Sequence, residues 1–201
     1  LDSPDEATRL VRAMDMALHS AKRHHLPTQG FERAMERRAV ARLRLEADLR
    51  AALDAGDIDV VFQPQVQVSL DARGERRVAL LGAEALARWT HPTRGPVGPN
   101  EFVPLAEQTG LIFRLSDAVL RRAAGHLVRL REQMGTRAPA RVSVNLSPPE
   151  LQRPDFAERV LAIIDEVGLP PACLELEVTE RLLLGDVDAV RAQMNVLRAQ
   201  G

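Results

Sequence analysis

The sequence predicts an α/β protein. Between residues 56 and 201, segments with the two-residue alternation of strands take turns with segments whose apolar residues recur every three or four positions, as in helices. Clusters of glycine, proline and aspartate separate these segments. With 201 residues, 45% of them hydrophobic, the chain is long enough for one sizeable core or for one domain plus a piece of another.

Two helices are predicted before the alternating region. Residues 6–22 have the apolar spacing of an amphipathic helix, and the polar stretch 24–30 interrupts it with a proline and a glycine. Apolar residues then recur about every four positions over residues 32–55 among arginines and glutamates, and Gly56 suits the C-cap. A helix of that length extends about 36 Å, so we predict that it connects two domains.

The alternating region begins with two predicted strands, residues 58–70 and 76–89, which are rich in valine and leucine. The turn-like residues 71–74 separate them. The patterns that follow predict helices at about 101–108 and 116–134, a strand at 141–146, a helix at about 148–167, a strand at 173–178 and a helix from about 186.

Local chemistry predicts both ends of the helix at about 148–167. Ser147 and Glu150 have the spacing of a capping box, and Pro148 stands at the first helical position. A helix is therefore predicted to begin two residues after Asn145, and Gly168 is predicted to end it.

Composition excludes several classes of partner and site. The 27 basic and 28 acidic residues nearly cancel, which gives no electrostatic reason to expect binding to a nucleic-acid polymer or an anionic membrane. No apolar run approaches the roughly 20 residues that cross a bilayer. Cys173 is the single cysteine, which excludes an intramolecular disulfide and a cysteine-based zinc cluster. A reducing, cytoplasmic location is expected.

Oxygen donors are predicted to gather where three strands end. Glu84 closes the apolar stretch 78–84, Asn145 closes the next strand, and Glu177 lies late in the third. In parallel β/α folds the carboxyl ends of strands converge, and two carboxylates there require a cation or a network of donors. Carboxylate and amide oxygens favour Mg²⁺ or Mn²⁺ over zinc. Arg88 could then hold a phosphate as a fork-shaped donor.

Structural roles are open alternatives for each of these residues. Glu84 could form a salt bridge with Arg88 or another arginine, and Asn145 could be a turn residue before a helix. Glu177 alternates with Glu175 as a half-exposed strand would. Gln63 before Pro64, and His91 before Pro92, are typical of turn or capping chemistry.

Four stretches of this chain resemble the first half of an EAL domain, the family of cyclic di-GMP phosphodiesterases. They are FQPQV, GAEALARWTHPTRGPVGPNEFVPLAEQTGLI, VSVNLSPPEL and LELEVTE. The resemblance covers about residues 45–201. It implies a variant TIM barrel, a (β/α)8 fold of which only the first half would be present at residues 56–201.

The resemblance also implies an activity and roles for individual residues. The active site would hydrolyse one phosphodiester of cyclic di-GMP to give linear pGpG, with two Mg²⁺ or Mn²⁺ ions activating water. By motif, Glu84, Asn145 and Glu177 would be metal ligands. Gln63 and Arg88 would contact the substrate, and Glu180 would steady the neighbouring loop.

The stretch MDMALHSAKRHHLPTQGF, residues 14–31, is similar to the closing segment of a GGDEF domain, the diguanylate cyclase module. Residues 1–31 would then be the remnant of that domain, and 32–55 the connector helix between the two domains. The chain begins at Leu1 and ends at Gly201 directly after a helical pattern, so we expect a fragment. The family's aspartate-rich segment and catalytic lysine would follow Gly201, since Lys22 is the single lysine here. We therefore expect this chain to be inactive alone. Its open sheet edge and unpartnered helix faces predict either self-association, as a homodimer or otherwise, or poor stability.

The longer protein could have one of three functions. The first is a GGDEF–EAL enzyme that hydrolyses cyclic di-GMP. The second is a degenerate EAL domain that binds cyclic di-GMP without cleaving it, and the third is a scaffold whose acidic residues form structural ion pairs.

Overall fold

The computed structural model describes Asp15, residues 33–178 and residues 187–201. The predicted polar break at 24–30, the predicted helix at 6–22 apart from Asp15, and Glu180 lie outside the described residues. The chain divides into two compact units, of which the first ends at Leu49 and the second begins at Arg50.

Helices and strands alternate over most of the described chain. The helices are α1 (Arg33–Ala55), α2 (Pro99–Thr109), α3 (Ile112–Met134), α4 (Pro148–Leu151), α5 (Phe156–Glu166) and α6 (Val187–Gln200). The strands are β1 (Ile58–Leu70), β2 (Arg76–His91), β3 (Gly95–Val97), β4 (Arg141–Asn145) and β5 (Leu174–Glu177). Short 3₁₀ turns at Gly135–Arg137 and Pro171–Cys173 lead into β4 and β5. The predicted α/β class is confirmed.

The five strands form one sheet in the order β1-β2-β4-β5, with β3 paired to β2. β1 and β2 are antiparallel, and their register shifts between Gln65 and Val66 at a β-bulge. β2, β4 and β5 run parallel to one another. The sheet therefore combines an antiparallel hairpin with a parallel section whose strands are connected through helices.

Helix α1 begins and ends close to the predicted connector at 32–55. It ends at Ala55 because Gly56 takes a left-handed conformation, φ 75°, which glycine adopts at little cost. Leu45, Leu49 and Ala52 recur at helical spacing on its buried face. None of the helices in the described ranges combines the length and the apolar character that crossing a bilayer requires.

Helix α3 packs against β1, β4 and α5 and forms much of the core. Its apolar stripe includes Leu120, Ala123 and Leu127, all buried. A second part of the core lies between β2 and α2, where the rings of Trp89 and Phe102 meet edge to face with centroids 6.0 Å apart. These helices support the strands that carry the predicted site residues.

The predicted single helix at 148–167 is wrong in one respect, because two helices occupy it. Helix α4 begins at Pro148 as predicted, with Ser147 as N-cap and its backbone N–H donating to Glu150 Oε2 at 2.9 Å. The helix ends at Leu151, and α5 begins at Phe156. Pro154 explains the break, since proline has no N–H to continue the ladder and disfavours helical backbone in the residue before it.

The predicted strand at 76–89 is confirmed as β2, so Glu84 lies inside this strand and only the apolar stretch before it ends there. β2 continues to His91, seven residues further, and pairs there with β3, which was not predicted. Only the pairing with β4 stops near Glu84, at Ala85. Smaller differences are that α3 begins at Ile112 rather than about 116, and that β4 and β5 are one to two residues shorter than predicted.

Candidate functional site

The sheet brings the three predicted metal ligands to neighbouring positions on adjacent strands. Glu84 on β2 lies opposite Ser143 on β4, and Asn145, two residues further along β4, lies opposite Glu177 on β5. Nδ2 of Asn145 donates a hydrogen bond to Oε1 of Glu84 at 2.6 Å. Asn145 therefore joins the strand of one glutamate to the strand of the other.

The turn after Asn145 is hydrogen-bonded to β5. The backbone N–H of Leu146 donates to the carbonyl oxygen of Glu177 at 2.8 Å, which continues the pairing of β4 with β5 by one residue. One residue later, the N–H of Ser147 is held by Glu150. The backbone that positions Asn145 is thus hydrogen-bonded on both sides.

Gln65 joins the cluster formed by Glu84, Asn145 and Glu177, and its role was not predicted. Its Nε2 donates to Oε1 of Glu177 at 3.2 Å, and its Oε1 accepts from Oγ of Ser143 at 3.3 Å. The alternation along β1 gave a signal, because Gln65 lies two residues after Gln63 and so shares its face. The contact with Glu177 could not be read from that alternation, because it depends on how four strands are ordered.

The salt bridge considered for Glu84 is not formed in the structure, whereas Glu177 is half-exposed on its strand, as its structural alternative expected. The Arg88 guanidinium donates to the Ala87 carbonyl at 2.8 Å instead of pairing with Glu84. Glu175 does form an ion pair, with Arg141 at 2.6 Å. Within residues 37–178 no ion pair involves Glu84 or Glu177, so both half-buried carboxylates have neutral amide partners.

The oxygen atoms of this cluster fit a hard divalent cation. Asn145 and Gln65 each engage Oε1 of a glutamate, and no hydrogen bond among the described residues uses the two Oε2 atoms or Oδ1 of Asn145. Those three oxygens are the type that Mg²⁺ and Mn²⁺ prefer. Nowhere in the described ranges do three His, Cys, Asp or Glu side chains converge to hold an ion. A cation here would therefore use the Asn145 amide as its third protein ligand.

A cleft of about 790 Å³ opens beside this cluster, and both Arg88 and Asn145 line it. Arg88 lies four residues beyond Glu84 on β2, so the two side chains share a face of the sheet. Gln63 is exposed and lies directly opposite Glu84 in the β1–β2 register. The predicted substrate residues therefore flank Glu84 on its own strand and on the neighbouring strand.

Glu150 adds a buried acid to the lining of the cleft. Its side chain is almost fully buried, at 4% exposure, and this burial raises the pKa of its carboxyl group. Hydrogen bonds from the Ser147 backbone and from Ser116 lower that pKa in part, while the charge of Glu107 raises it. The sequence identified Glu150 only as a capping residue.

The structural interpretation of His91 agrees with the geometry. Its Nδ1 accepts hydrogen bonds from the backbone N–H groups of Thr93 and Arg94 at 3.1 and 3.2 Å. His91 thus stabilises the turn between β2 and β3. Glu180, the predicted loop-stabilising acid, lies outside the described residues.

Comparison with known proteins adds a family match. The family model of the EAL domain matches residues 46–201. An uncharacterised signalling protein of Caulobacter vibrioides is 37% identical over 98% of this chain, and the cyclic di-GMP phosphodiesterase NbdA of Pseudomonas aeruginosa is 34% identical over 98%. The aligned parts are 23% and 24% of those two proteins. The chain thus spans about a quarter of their length.

Solved structures have a similar fold. The PaMucR phosphodiesterase in complex with c-di-GMP has a TM-score of 0.66 at 34% identity, and the match covers 79% of this chain and 60% of that one. The FimX EAL domain from Pseudomonas aeruginosa, bound to c-di-GMP, has a TM-score of 0.61 and covers 76% of this chain and 57% of its own. At 22% identity the second match supports the fold alone.

Proposed function

Because this chain belongs to the EAL domain family, we propose that the protein hydrolyses cyclic di-GMP to linear pGpG with the help of Mg²⁺ or Mn²⁺. The observation that carries this proposal is the pair of half-buried glutamates, Glu84 and Glu177, whose hydrogen-bond partners are neutral amides. The similarity to NbdA, which is named as a cyclic di-GMP phosphodiesterase, supports the choice of substrate.

Glu84, Asn145 and Glu177 would hold the cation through the oxygens that no hydrogen bond uses. Bound there, Mg²⁺ or Mn²⁺ would supply Lewis-acid chemistry, lowering the pKa of water and offsetting charge on the phosphate. The protein contributes a preformed set of acceptors. Asn145 separates the two carboxylates and donates to one of them, which reduces the repulsion that would otherwise oppose their shared position.

Arg88 and Gln63 would bind the substrate. The guanidinium of Arg88 presents two parallel N–H donors, which suit a phosphate better than the single point charge of a lysine would. Its present contact, with the Ala87 carbonyl, is a local one that a phosphate could replace. Gln63 is exposed beside Glu84 and can both donate and accept. Glu180 would steady the loop after Glu177.

The wider organisation is also part of the proposal. Residues 1–31 would be the end of a GGDEF domain, and the helix over 32–55 would connect it to an EAL domain that continues as a (β/α)8 barrel. The matches to curated relatives cover 98% of this chain and so extend beyond residues 46–201, which supports a shared upstream segment. We propose a cytoplasmic signalling protein that self-associates as a homodimer.

The test is product formation. This chain and the longer protein that contains it are incubated with cyclic di-GMP and Mn²⁺, and pGpG is measured by chromatography. The proposal is supported if the longer protein hydrolyses cyclic di-GMP and Glu84→Gln abolishes this activity. The matched control Glu132→Gln, on the exposed face of α3, should keep it. Binding of cyclic di-GMP without product would favour a receptor, and the absence of both would favour a scaffold.

A further inference from the structure

The side chain of Gln65 joins β1 to two strands that lie beyond its neighbour β2. It lies on β1, opposite Gly82 on β2, and its amide reaches Ser143 on β4 and Glu177 on β5. Strands are spaced about 4.8 Å apart, so the side chain must cross β2 to make these contacts. The register shift directly after Gln65 interrupts the regular pairing, which resumes with Val66 opposite Leu80.

Gly82 leaves the space for this crossing. A Cβ atom on residue 82 would lie 3.1 Å from Oε1 of Gln65 and 3.0 Å from Cγ of Arg141. Contacts this short are tighter than side chains normally adopt, so any larger residue would force Gln65 or Arg141 to move. The position of Gln65 and the absence of a side chain at Gly82 therefore depend on each other.

The amide of Gln65 has one orientation that satisfies both of its partners. An ionised carboxylate only accepts hydrogen bonds, so the NH₂ group must face Glu177. The hydroxyl of Ser143 then donates to Oε1 of Gln65. Ser143 is fully buried, at 0% exposure, which makes it a fixed reference for the amide.

A neutral hydrogen-bond donor leaves the charge of Glu177 in place, whereas a positively charged side chain would not. An arginine at this place would neutralise Glu177, as Arg141 does for Glu175 on the same strand. Gln65 fixes Oε1 of Glu177 and leaves the carboxylate its full charge and its Oε2 atom. Partners of this kind orient metal ligands, and their loss typically weakens metal affinity by about 10- to 100-fold.

We propose that Gln65 is a positioning residue that holds the Glu177 carboxylate in the orientation in which it binds a divalent cation. This inference rests on the cation site of the proposed function. Gln65 itself touches neither the cation nor the substrate. Its action passes through Glu177, and Ser143 and Gly82 are needed for it.

The test is Mn²⁺ affinity, measured on this chain by electron paramagnetic resonance of free Mn²⁺. Gln65→Met keeps the length of the side chain but removes its donor and acceptor, and we expect the affinity to fall at least tenfold. Gln67→Met is the matched control, since Gln67 is exposed on the same strand and its side chain makes no hydrogen bond within the described residues.

A double variant separates positioning from general damage. In a Glu177→Gln background, Gln65→Met should change Mn²⁺ affinity less than twofold, because the carboxylate through which it acts is gone. A tenfold loss that persists in this background, or a Gln65→Met affinity equal to that of Gln67→Met, would overturn the inference while leaving the cation site intact. If the wild-type chain does not bind Mn²⁺, the cation site itself is wrong. The same conclusion follows if Glu84→Gln and Glu177→Gln both bind Mn²⁺ as tightly as the wild type does.

Discussion

Asn145 and Glu84 lie on adjacent parallel strands, and their side chains meet with Nδ2 and Oε1 2.6 Å apart. The contact joins residues 61 positions apart in the chain. It gives one of the two site glutamates a donor without neutralising it.

Asn145→Asp is expected to destabilise the chain in the absence of metal and to increase its response to Mn²⁺. A second carboxylate would stand beside Glu84 at hydrogen-bond distance, where two like charges oppose each other. We expect the melting temperature to fall by about 2–4 °C without metal and to rise more on adding Mn²⁺ than it does for the wild type. Scanning calorimetry with and without Mn²⁺ measures both shifts, and Asn195→Asp, at an exposed position of α6, is the control. Equal Mn²⁺ responses in wild type and variant would contradict a cation at this position.

Arg88→Lys is expected to weaken cyclic di-GMP binding about tenfold or more and to leave Mn²⁺ affinity unchanged. Lysine keeps the charge but lacks the two parallel donors that match a phosphate. Calorimetric titration with each ligand separates the two effects. Arg76→Lys, on the exposed part of β2, should behave as the wild type does. A parallel loss of Mn²⁺ binding would mean that Arg88 supports the cation site rather than the substrate.

Glu150→Gln is expected to be more stable than the wild type at neutral pH and to lose this advantage in acid. Burial raises the pKa of Glu150, so the folded state favours the protonated form. Its stabilising contribution is therefore complete below the ordinary glutamate pKa and is lost as the pH rises through the raised value. The introduced amide would keep an acceptor for the Ser147 N–H without titrating. Urea denaturation of both proteins between pH 4 and 8 measures the difference, and two parallel curves would be inconsistent with this prediction.

Phe102→Ala is expected to lower the free energy of unfolding by about 3–5 kcal/mol, because a buried ring would leave a cavity. Phe102 is completely buried and its ring contacts that of Trp89. Val78→Ala, at 65% exposure, should cost no more than about 0.5 kcal/mol. Urea denaturation followed by Trp89 fluorescence gives both values. A loss below about 1 kcal/mol for Phe102→Ala would show that this part of the core repacks around the cavity.

Local signals predicted the fold well where neighbouring residues decide the outcome. Gly56 ends α1 and Ser147 begins α4 as expected, because each boundary depends on backbone chemistry within a few residues. Pro154 is a local signal for the break between α4 and α5. The apolar pattern continues on both sides of it and favoured a single helix. β3 is only three residues long and depends on its pairing with β2, so periodicity could not identify it.

The candidate site could be predicted in part for a related reason. Glu84, Asn145 and Glu177 stand out because acids and amides are unusual next to buried strands. The link from Gln65 to Glu177 could not be predicted, because β1 and β5 are far apart in sequence and no local pattern fixes the strand order between them. The pairing of Arg141 with Glu175 rather than Glu177 likewise depends on side-chain geometry.

The 112 positions between Gln65 and Glu177 also bear on the order of events during synthesis. On the ribosome, the hairpin with Gln65 and Glu84 emerges long before β5, and contacts between such distant residues form only after the costly closure of a large loop. The nascent hairpin therefore carries its acid without the partner strand that completes the cluster. Mn²⁺ added to a refolding chain would accordingly be captured only in the final phase, and the time course of its capture would record when β5 joins β4.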